Sequence, residues 1–371
     1  MRVPPERPAL LANKSVAVVH EWFTAAGGSE SVFLHLAELL PHAERFVLWK
    51  EPDAPTEGLR LRESWLARTP LRHSKPLALP LMPLAWRSLS RQNFDVVVTS
   101  SHAFAHLARV GRQPDTRYLS YVHSPARYLW SPSFDRRGAY PLLAGPRRAL
   151  QAVDVRMSRH VHSYAANSLE VQARIRRFWH RDAVVVNPPV DVDFYSSAPV
   201  PQQQQSRDYL LGVGRFIGYK NFDLIIAIAE AAGFPLVIAG SGPDEAKLRR
   251  AAAKASVPVS FDIRPSRERL RELYWGAKAL LFPVHEDFGM IPVEAQACGT
   301  PVVGLRRGGL LETVVEGETG FLVDTLDPRD YAPLIEKVEG LIGTTTVHAG
   351  RFSRQAFDTR ASAWIEGASA S

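Results

Sequence analysis

One run of the sequence, VHEDFGMIPVEAQACGTPVV at residues 284–303, constrains the fold more than any other. It follows four apolar residues, 279–282, which are typical of a strand buried on both faces. A turn at 287–289 then leads to a short helix that ends at Gly299, and a new strand follows. This order predicts a parallel α/β sheet. The first turn of such a helix presents unpaired N–H groups, which favour an anion such as phosphate.

Two carboxylates, Glu286 and Glu294, flank this predicted anion site with seven residues between them. Gly289 lets a ligand approach the backbone closely. An ionised carboxylate only accepts hydrogen bonds, so its natural partners beside a diphosphate are hydroxyls. The pair therefore suggests a nucleotide sugar, with Glu294 on the ribose and Glu286 on the transferred sugar. Two surface glutamates beside a helix would fit the spacing equally well.

Length and composition set broad limits on the chain. Its 371 residues predict two domains, and 46% hydrophobic with 22% charged residues is typical of a globular protein with a sizeable core. No apolar run reaches the length of a membrane span, and the first fifteen residues lack the apolar stretch of a signal peptide. Cys298 has no second cysteine to pair with and is expected to be a core residue. A cytoplasmic location is expected.

The positive charge restricts the partners. The net charge is +7 and the pI is about 9.6, which suits phosphorylated substrates, an anionic membrane or nucleic acid. No zinc-ligand spacing or RNA-recognition signature supports nucleic acid, so none is expected. Residues 60–91 contain seven Arg or Lys against one acid and are rich in leucine. This stretch predicts either peripheral contact with an anionic membrane or a lid over a soluble acceptor.

The first half alternates strands and helices, as in a parallel sheet. Strands are predicted at 16–19, 46–49, 94–100, 117–123, 161–165 and 183–186, and helices at 29–40, 146–159 and 169–179. A glycine loop at 24–28 follows the first strand without the G-x-G-x-x-G pattern, which disfavours a dinucleotide site. Ligands of such sheets bind at the carboxyl ends of the strands. The polar residues expected to meet at that edge are His20, Ser100, His102, His123, Ser124 and Asn167.

A Pro- and Gln-rich stretch at 196–208 is typical of a linker. The alternation then restarts, with strands at 209–213, 236–239, 257–263, 301–305 and 321–323 besides the central one. Helices are predicted at 222–232, 245–255, 267–276, 310–315, 327–341 and 353–366. The predicted domains are therefore 1–195 and 196–352, with a C-terminal helix at 353–371 that returns to the first domain.

Two cations follow the first strand of the second half. In GVGRFIGYK, Arg215 and Lys220 are able to bend over one anion, Arg215 as a bidentate donor and Lys220 as a point charge. A solvated basic turn is the alternative. The D-x-D tripeptide at Asp191 and Asp193 follows two prolines at the predicted domain boundary, where polar turn residues are expected, and no metal site is predicted.

The motifs GGSE (27–30), HSP (123–125), GVGRFIGYKN (212–221), AGSGPDE (239–245) and HEDFGMIPVEAQACGTPVV (285–303), in this order, resemble glycosyltransferase family 4. The resemblance runs nearly end to end and is strongest over 208–325. It implies the α/β GT-B fold, in which two Rossmann-like domains with parallel sheets face a central cleft, the acceptor lying mostly on the first domain and the sugar nucleotide mostly on the second. The opening of the sequence resembles bacterial mannosyltransferase-like members, which build surface polysaccharides or glycosylate small metabolites.

The resemblance also implies roles for individual residues. Arg215 and Lys220 correspond to the diphosphate pair, Glu286 to the contact with the transferred sugar, and His123 to the histidine near the reacting carbon. Further donor contacts fall on Gly27, Gly28, Gly214, Arg264, Phe288, Gly289, Met290, Ile291 and Glu294. Acceptor contacts fall on Glu21, Ser29 and His102. Two departures from the family pattern stand out: Ser29 in GGSE, and FDIRPSRE at 261–268, where base recognition is expected near Arg264.

The implied activity is that of a retaining, metal-independent hexosyltransferase. It would move a hexose, with GDP-mannose the favoured donor, to a glycan, lipid-linked or small-molecule hydroxyl, and would need no cofactor beyond the GDP- or UDP-linked sugar. A UDP-sugar-dependent transferase, a sugar-nucleotide epimerase of the same architecture and a non-catalytic sugar-nucleotide binder are the alternatives.

Overall fold

The computed structural model describes residues 10–24, 27–52, 54, 56, 58–89, 92–110, 115–131, 144–197, 207–341 and 345–370. The chain divides into two compact units. Unit 1 contains the residues up to Pro189 together with those from Phe357 onward, and unit 2 contains Val190–Ala356. Most of the predicted linker, residues 198–206, lies outside the described residues.

Unit 1 is built around a parallel sheet. Its strands are β1 (Val16–Phe23), β2 (Glu44–Lys50), β3 (Leu61–Glu63), β4 (Val96–Ser101), β5 (Arg117–Val122), β6 (Ser163–Ala166) and β7 (Val184–Val185). They lie in the order β3-β2-β1-β4-β5-β6-β7, and each pair is parallel. The residues of β1 and β4 are almost all buried, which explains why each strand begins with an apolar run without alternation.

Helices cover both faces of this sheet. They are α1 (Gly28–Leu39), α2 (Lys75–Ala78), α3 (Met82–Arg87), α4 (Arg127–Trp130), α5 (Ala144–Ser158), α6 (Leu169–Trp179) and α15 (Arg354–Ala370), with short 3-10 helices at Trp65–Arg68, Pro70–His73, Leu79–Leu81 and Ala105–Leu107. Phe33 of α1 and Phe357 of α15 share one core cluster. Met82 and Trp86 of α3 share another with Phe46 of β2. The leucine-rich stretch 60–89 is therefore partly core.

Unit 2 repeats the architecture. Its strands are β8 (Tyr209–Arg215), β9 (Leu236–Ser241), β10 (Val259–Ile263), β11 (Ala277–Phe282), β12 (Val302–Leu305) and β13 (Gly320–Val323), in the parallel order β10-β9-β8-β11-β12-β13. Its helices are α7 (Val192–Ser196), α8 (Phe222–Ala232), α9 (Glu245–Ala252), α10 (Arg267–Gly276), α11 (Met290–Ala297), α12 (Leu310–Thr313), α13 (Pro328–Lys337) and α14 (Thr345–Ala349). Short 3-10 helices lie at Gly218–Lys220, Val338–Leu341 and Gly350–Phe352.

Both sheets reverse their strand order at one place. The chain builds outward from β1 or β8 to one side, and then adds β4 or β11 on the other side of that first strand. The loops that leave the carboxyl ends of the two adjacent strands therefore diverge, and the crevice between them is where doubly wound sheets bind ligands. Candidate site residues are therefore expected at these reversal points, which are β1/β4 in unit 1 and β8/β11 in unit 2.

The predicted α/β class with parallel sheets is confirmed in both units. Several strand boundaries differ by a few residues, and the one at β1 matters for the site: β1 was expected to span 16–19, but it continues to Phe23, so that His20, Glu21 and Trp22 lie inside the strand. Pairing with β4 reaches His20, and pairing with β2 continues to Trp22 and Phe23, which extends the strand. Among the described helices, none has the length and apolar character needed to cross a bilayer.

Candidate functional site

In unit 2 the carboxyl end of β8 carries an exposed cation. Arg215 is the last residue of the strand, and its side chain has no hydrogen bond or ion pair within the described part of the chain. Gly214, just before it, has φ +149° and lies beneath the Lys220 side chain, whose carbons are 3.8 Å from where a Cβ would stand. The β8 end thus brings two basic side chains to one edge of the sheet.

Lys220 forms an ion pair with Glu286, which follows the adjacent strand β11. Only 9% of the lysine side chain and 16% of the glutamate side chain are exposed. Next to Lys220, Asn221 adopts a left-handed conformation and donates through Nδ2 to the Pro283 carbonyl at 2.7 Å. The two loops of the reversal point are therefore joined by an ion pair and a hydrogen bond. Lys220 and Glu286, the predicted phosphate and sugar contacts, lie side by side.

The helix α11 begins beside this pair. Gly289 is its N-cap, with φ +90°, a conformation that an L side chain adopts only with strain. The partly exposed Met290 and Ile291 follow, whereas the Phe288 side chain is buried and packs edge-on against Phe352 at 5.4 Å. The Phe288 ring is thus part of the core.

Glu294 lies in the middle of α11 and is mostly shielded from solvent. The Tyr274 hydroxyl donates to its Oε2 at 2.9 Å. Burial raises the pKa of Glu294, while the bond from Tyr274 acts to lower it. Sequence reasoning missed Tyr274, because an apolar-looking tyrosine on α10 gives no sign that its hydroxyl reaches the next helix.

Arg264 lies away from these residues. It follows β10, which is at the edge of the sheet and is separated from β8 by β9. The residue is exposed and has φ +52°, and its N–H donates to the Gly240 carbonyl at 3.0 Å. Neighbouring strands are about 4.8 Å apart, so the backbone of Arg264 lies about 10 Å from the end of β8.

In unit 1 the reversal point carries a group of histidines. The Ser100 hydroxyl of β4 lies 3.1 Å from His20 Nδ1 and 2.8 Å from His123 Nε2, and so bridges the two rings. His20 is fully buried and stacks on Phe33 at 5.1 Å. Burial lowers the pKa of His20 to about 4 and holds the pKa of His123 well below its usual value. Both imidazoles are therefore neutral near pH 7.

Glu21 and His102 meet beside this group. Glu21 is fully buried, and its carboxylate accepts from the N–H groups of His102, Ala103 and Ala105 at 2.8–3.2 Å. His102 Nδ1 lies 3.0 Å from Glu21 Oε2. Burial alone would raise the pKa of Glu21, but His102 and these N–H groups hold it well below its usual value.

Glu30, a residue without a predicted role, forms hydrogen bonds at the start of α1. The Glu30 carboxylate accepts from Thr24 Oγ1 at 2.6 Å and from Ser29 Oγ at 2.7 Å, and a Cβ on Gly27 would stand 2.1 Å from Glu30 Oε2. Gly27 caps the helix and Gly28 begins it. The Ser29 hydroxyl, a predicted acceptor contact, therefore already has a partner.

One group in the described residues has metal-ligand atoms close together: those of His20, Glu21 and His102 lie within 4.8 Å of one another. The Glu21 oxygens are already occupied by three backbone N–H groups and by the Ser101 hydroxyl at 3.2 Å. Four of these bonds fall on Oε1, whereas Oε2 accepts, among the described residues, only from the His102 N–H. His20 Nε2 and His102 Nδ1 are buried without a hydrogen-bond partner in the described part of the chain. The absence of a metal site stays a prediction.

Two family models match the chain. Residues 26–194 match Glycosyltransferase Family 4, and residues 197–341 match Glycosyl transferases group 1. Both halves of the chain thus match glycosyltransferase models. A D-inositol 3-phosphate glycosyltransferase of Acidothermus cellulolyticus is 36% identical over 167 residues, which are 38% of this chain and 37% of that protein. One from Mycolicibacterium smegmatis is 34% identical over 193 residues, 46% of this chain and 44% of that protein. The matches thus span about two fifths of the length of these relatives.

Solved structures share the GT-B fold across almost the whole chain. Anabaena HepE in complex with UDP-glucose has a TM-score of 0.70 and 16% identity, covering 94% of this chain and 99% of that one. Sucrose-phosphate synthase from Thermosynechococcus elongatus has a TM-score of 0.69 and 18% identity, covering 95% and 98%. At such identities the likeness establishes the fold alone.

The sequence-predicted residues fall into two groups by position. Arg215, Lys220 and Glu286 lie at the β8/β11 reversal with Gly289 beside them, and Glu294 lies further along α11. His20, His102 and His123 meet at the β1/β4 reversal, as expected for that edge. Ser124 and Asn167 lie at the same edge, after β5 and β6, as expected. Hydrogen bonds join them to other residues: Ser124 bonds with Pro125 and Arg174, and Asn167 bonds with Ser168 and Asn187.

Proposed function

We propose that this protein is a retaining hexosyltransferase that uses a nucleoside diphosphate hexose as donor. The observation that carries the proposal is the arrangement at the β8/β11 reversal. There the Arg215 side chain is exposed and has no hydrogen bond or ion pair within the described residues. Lys220 forms its ion pair with Glu286 beside the first turn of α11. Two cations and a helix end stabilise the charge that develops on a departing diphosphate.

The proposal also concerns which hexose is transferred and which nucleotide carries it. The opening of the sequence favours a mannosyl donor linked to GDP, whereas HepE was crystallised with UDP-glucose. The Glu286 carboxylate accepts hydrogen bonds and so suits sugar hydroxyls, and the mostly buried Glu294 suits ribose hydroxyls in the same way.

The acceptor is a hydroxyl compound. The named relatives act on an inositol phosphate, so phosphorylated polyols belong in the acceptor panel with glycans and lipid-linked sugars.

A calorimetric panel of GDP- and UDP-linked hexoses tests the donor site. We expect micromolar to millimolar binding of at least one, and transfer that survives EDTA, because the charge on the diphosphate is met by protein cations. The double variant Arg215→Ala/Lys220→Ala should lose most turnover, while Lys254→Ala, which removes an exposed lysine of the same unit, should keep it. Failure of every donor to bind at millimolar concentration would exclude the function.

Product analysis separates the proposed activity from its alternatives. NMR of the anomeric proton should show the same configuration in donor and product. Conversion of the donor to an epimeric sugar without acceptor would instead identify an epimerase, and binding without turnover across the acceptor panel would identify a sugar-nucleotide sensor. Inversion at the anomeric carbon would contradict the retaining mechanism.

We also place the protein in the cytoplasm, with peripheral contact at the inner face of the membrane through residues 60–89. In this stretch Leu77 and Leu84 are 66% and 62% exposed, and Arg68, Lys75 and Arg87 are exposed as well. Exposed apolar side chains among basic ones suit an anionic lipid surface. Co-sedimentation with anionic vesicles at low salt should fall in Leu77→Ser/Leu84→Ser and not in Val347→Ser, an exposed apolar residue of unit 2. If the protein pellets equally with neutral and anionic vesicles, or with neither, the stretch would instead be a lid over a soluble acceptor.

A further inference from the structure

Glu294, to which the ribose hydroxyls are assigned above, receives a hydrogen bond from a buried tyrosine. The Tyr274 hydroxyl donates to Glu294 Oε2 at 2.9 Å. Tyr274 lies on α10 and Glu294 on α11, so the bond joins two helices of unit 2. Tyr274 is 0% exposed, whereas Glu294 is partly exposed. The tyrosine is therefore able to act on a bound ligand only through the glutamate.

The Tyr274 hydroxyl keeps its proton and so acts as a donor. Burial raises the pKa of Tyr274 well above its usual value, and the neighbouring Glu294 carboxylate raises it further. A hydrogen bond to a carboxylate is stronger than one between neutral groups, and it restricts rotation of the acid. The carboxylate has about four acceptor positions, of which this bond takes one. Glu294 is therefore oriented and still able to accept from hydroxyls of a ligand.

Tyr274 is itself held in place by contacts at the end of α10. Thr300 Oγ1 donates to the Tyr274 carbonyl at 2.5 Å, and the Tyr209 hydroxyl of β8 donates to the preceding Leu273 carbonyl at 2.8 Å. The Tyr274 ring meets the Tyr195 ring edge-on at 5.9 Å. A residue orients a binding group accurately only when its own position is fixed. The end of α10 meets this condition.

The place of Glu294 on α11 suits a ribose. It lies four residues after Met290, the first residue of the helix. Four residues make about one turn, so the two side chains share a face of the helix and are about 6 Å apart along its axis. In the proposed donor site the diphosphate binds at the first turn of α11, and the ribose is attached to it through its 5′ carbon. A carboxylate one turn further along is within reach of the ribose hydroxyls.

We propose that Tyr274 is a positioning residue that makes the donor site selective for ribose over its 2′- and 3′-deoxy forms. The oriented Glu294 carboxylate accepts a hydrogen bond from a ribose hydroxyl. A deoxynucleotide leaves this shielded carboxylate without that donor, which costs binding energy. Without the Tyr274 hydroxyl the carboxylate rotates, and the bond to the ribose weakens. The inference rests on the proposed transferase function and names the residue that determines which nucleotide sugar binds.

Calorimetry with UDP or GDP, whichever binds, and with its 2′-deoxy and 3′-deoxy counterparts tests the role of Tyr274. The wild type should bind the ribonucleotide about 10-fold more tightly than at least one deoxy counterpart, because a hydrogen bond to a charged group is lost. Tyr274→Phe should reduce this ratio to about threefold or less, mainly by weakening the ribonucleotide. Tyr331→Phe removes another buried tyrosine hydroxyl of unit 2, bonded to the Thr325 carbonyl at 3.0 Å, and should keep the ratio.

The ratio of the two affinities separates positioning from a merely structural role. A loss of packing would weaken the ribonucleotide and the deoxynucleotides by the same factor and leave the ratio unchanged. Turnover gives a second readout. In Tyr274→Phe the KM for the sugar nucleotide should rise while kcat stays within about twofold, because the ribose is on the far side of the diphosphate from the bond that breaks. In a Glu294→Gln background, Tyr274→Phe should not change the ratio further.

Replacement of Tyr274 by 4-fluorophenylalanine covers the case in which Tyr274→Phe does not fold. The fluorine fills the space of the hydroxyl but cannot donate, so the ratio should fall in the same way. A wild-type ratio in either variant would overturn the role of Tyr274, and so would a wild type that binds ribo- and deoxynucleotides equally. Absence of binding of every nucleotide and nucleotide sugar to the wild type would instead contradict the transferase function itself.

Discussion

Lys220 and Glu286 form an ion pair that joins the turn after β8 to the loop after β11. Both side chains are largely buried, so the ion pair compensates part of the cost of burying the two charges. In the proposed donor site, a diphosphate that binds Lys220 would compete with Glu286 for the same ammonium group. Binding would then release the Glu286 carboxylate for sugar hydroxyls.

Glu286→Gln should separate diphosphate binding from sugar transfer. Removal of the competing charge frees Lys220, and at about 1 kcal/mol this corresponds to roughly fivefold tighter binding of free UDP or GDP. Transfer from the nucleotide sugar should fall instead, since the contact with the transferred hexose is weakened. Calorimetry with the free nucleotide and turnover with the sugar nucleotide provide the comparison. Glu316→Gln, which removes a surface partner of Arg306, is the control, and weaker binding of the free nucleotide would contradict the competition.

Unfolding measurements should show strong coupling between the two residues. Lys220→Met alone leaves the Glu286 carboxylate shielded without its cation, which should lower the free energy of unfolding by about 2–3 kcal/mol. The double variant Lys220→Met/Glu286→Gln should cost less than the sum of the single variants, with an interaction energy of about 1–2 kcal/mol. Urea unfolding of the four proteins measures this cycle. Additive effects would mean that the pair contributes nothing to stability.

Gly309 is expected to hold the α11 turn in shape. A Cβ at this position would stand 2.1 Å from the Phe288 carbonyl oxygen, and the Gly309 N–H donates to the Glu286 carbonyl at 2.9 Å. Gly309→Ala should therefore displace the backbone of 286–289, lower the free energy of unfolding by about 1–3 kcal/mol and weaken nucleotide binding. Gly350→Ala, where a Cβ meets nothing within 4 Å, should change neither. Native nucleotide affinity in Gly309→Ala would show that the turn tolerates the shift.

Elements with clear end signals were predicted from the sequence with accurate boundaries. Helix α6 begins after Ser168, whose hydroxyl accepts from the Val171 N–H, and α10 begins after Ser266, which does the same for Arg269. Helix α8 ends at Gly233 in a left-handed conformation. These caps act over three or four residues, so sequence alone determines them.

What sequence reasoning missed depends on contacts between distant parts of the chain. The short helices α2 and α3 form because residues such as Ala78 and Trp86 pack into the unit 1 core, although their own pattern has no helical period. The Ser100 bridge between His20 and His123 requires the register of β1, β4 and β5. That register is set by the whole sheet, and no local spacing reveals it.

The pH dependence of unit 1 should follow from its buried neutral histidines. The pKa of His20 falls from 6.5 to about 4 on folding, a difference of roughly 3 kcal/mol. Because the folded-state pKa is the lower one, this stability is present above pH 6.5 and is lost as the pH falls toward 4. His123 acts in the same direction. His102, whose pKa is raised, opposes them, since its contribution is complete below pH 6.5 and is lost at higher pH.

Hydrogen exchange of the β1 amides at pH 7.5, 6 and 5 reports this stability for unit 1 by itself. We expect the opening free energy of the wild type to decrease over this range, and we expect His20→Gln to flatten the decrease because its side chain does not titrate. His42→Gln, at an exposed position, should keep the slope of the wild type. A wild-type slope in His20→Gln would mean that other groups, with His123 first among them, account for the loss of stability in acid.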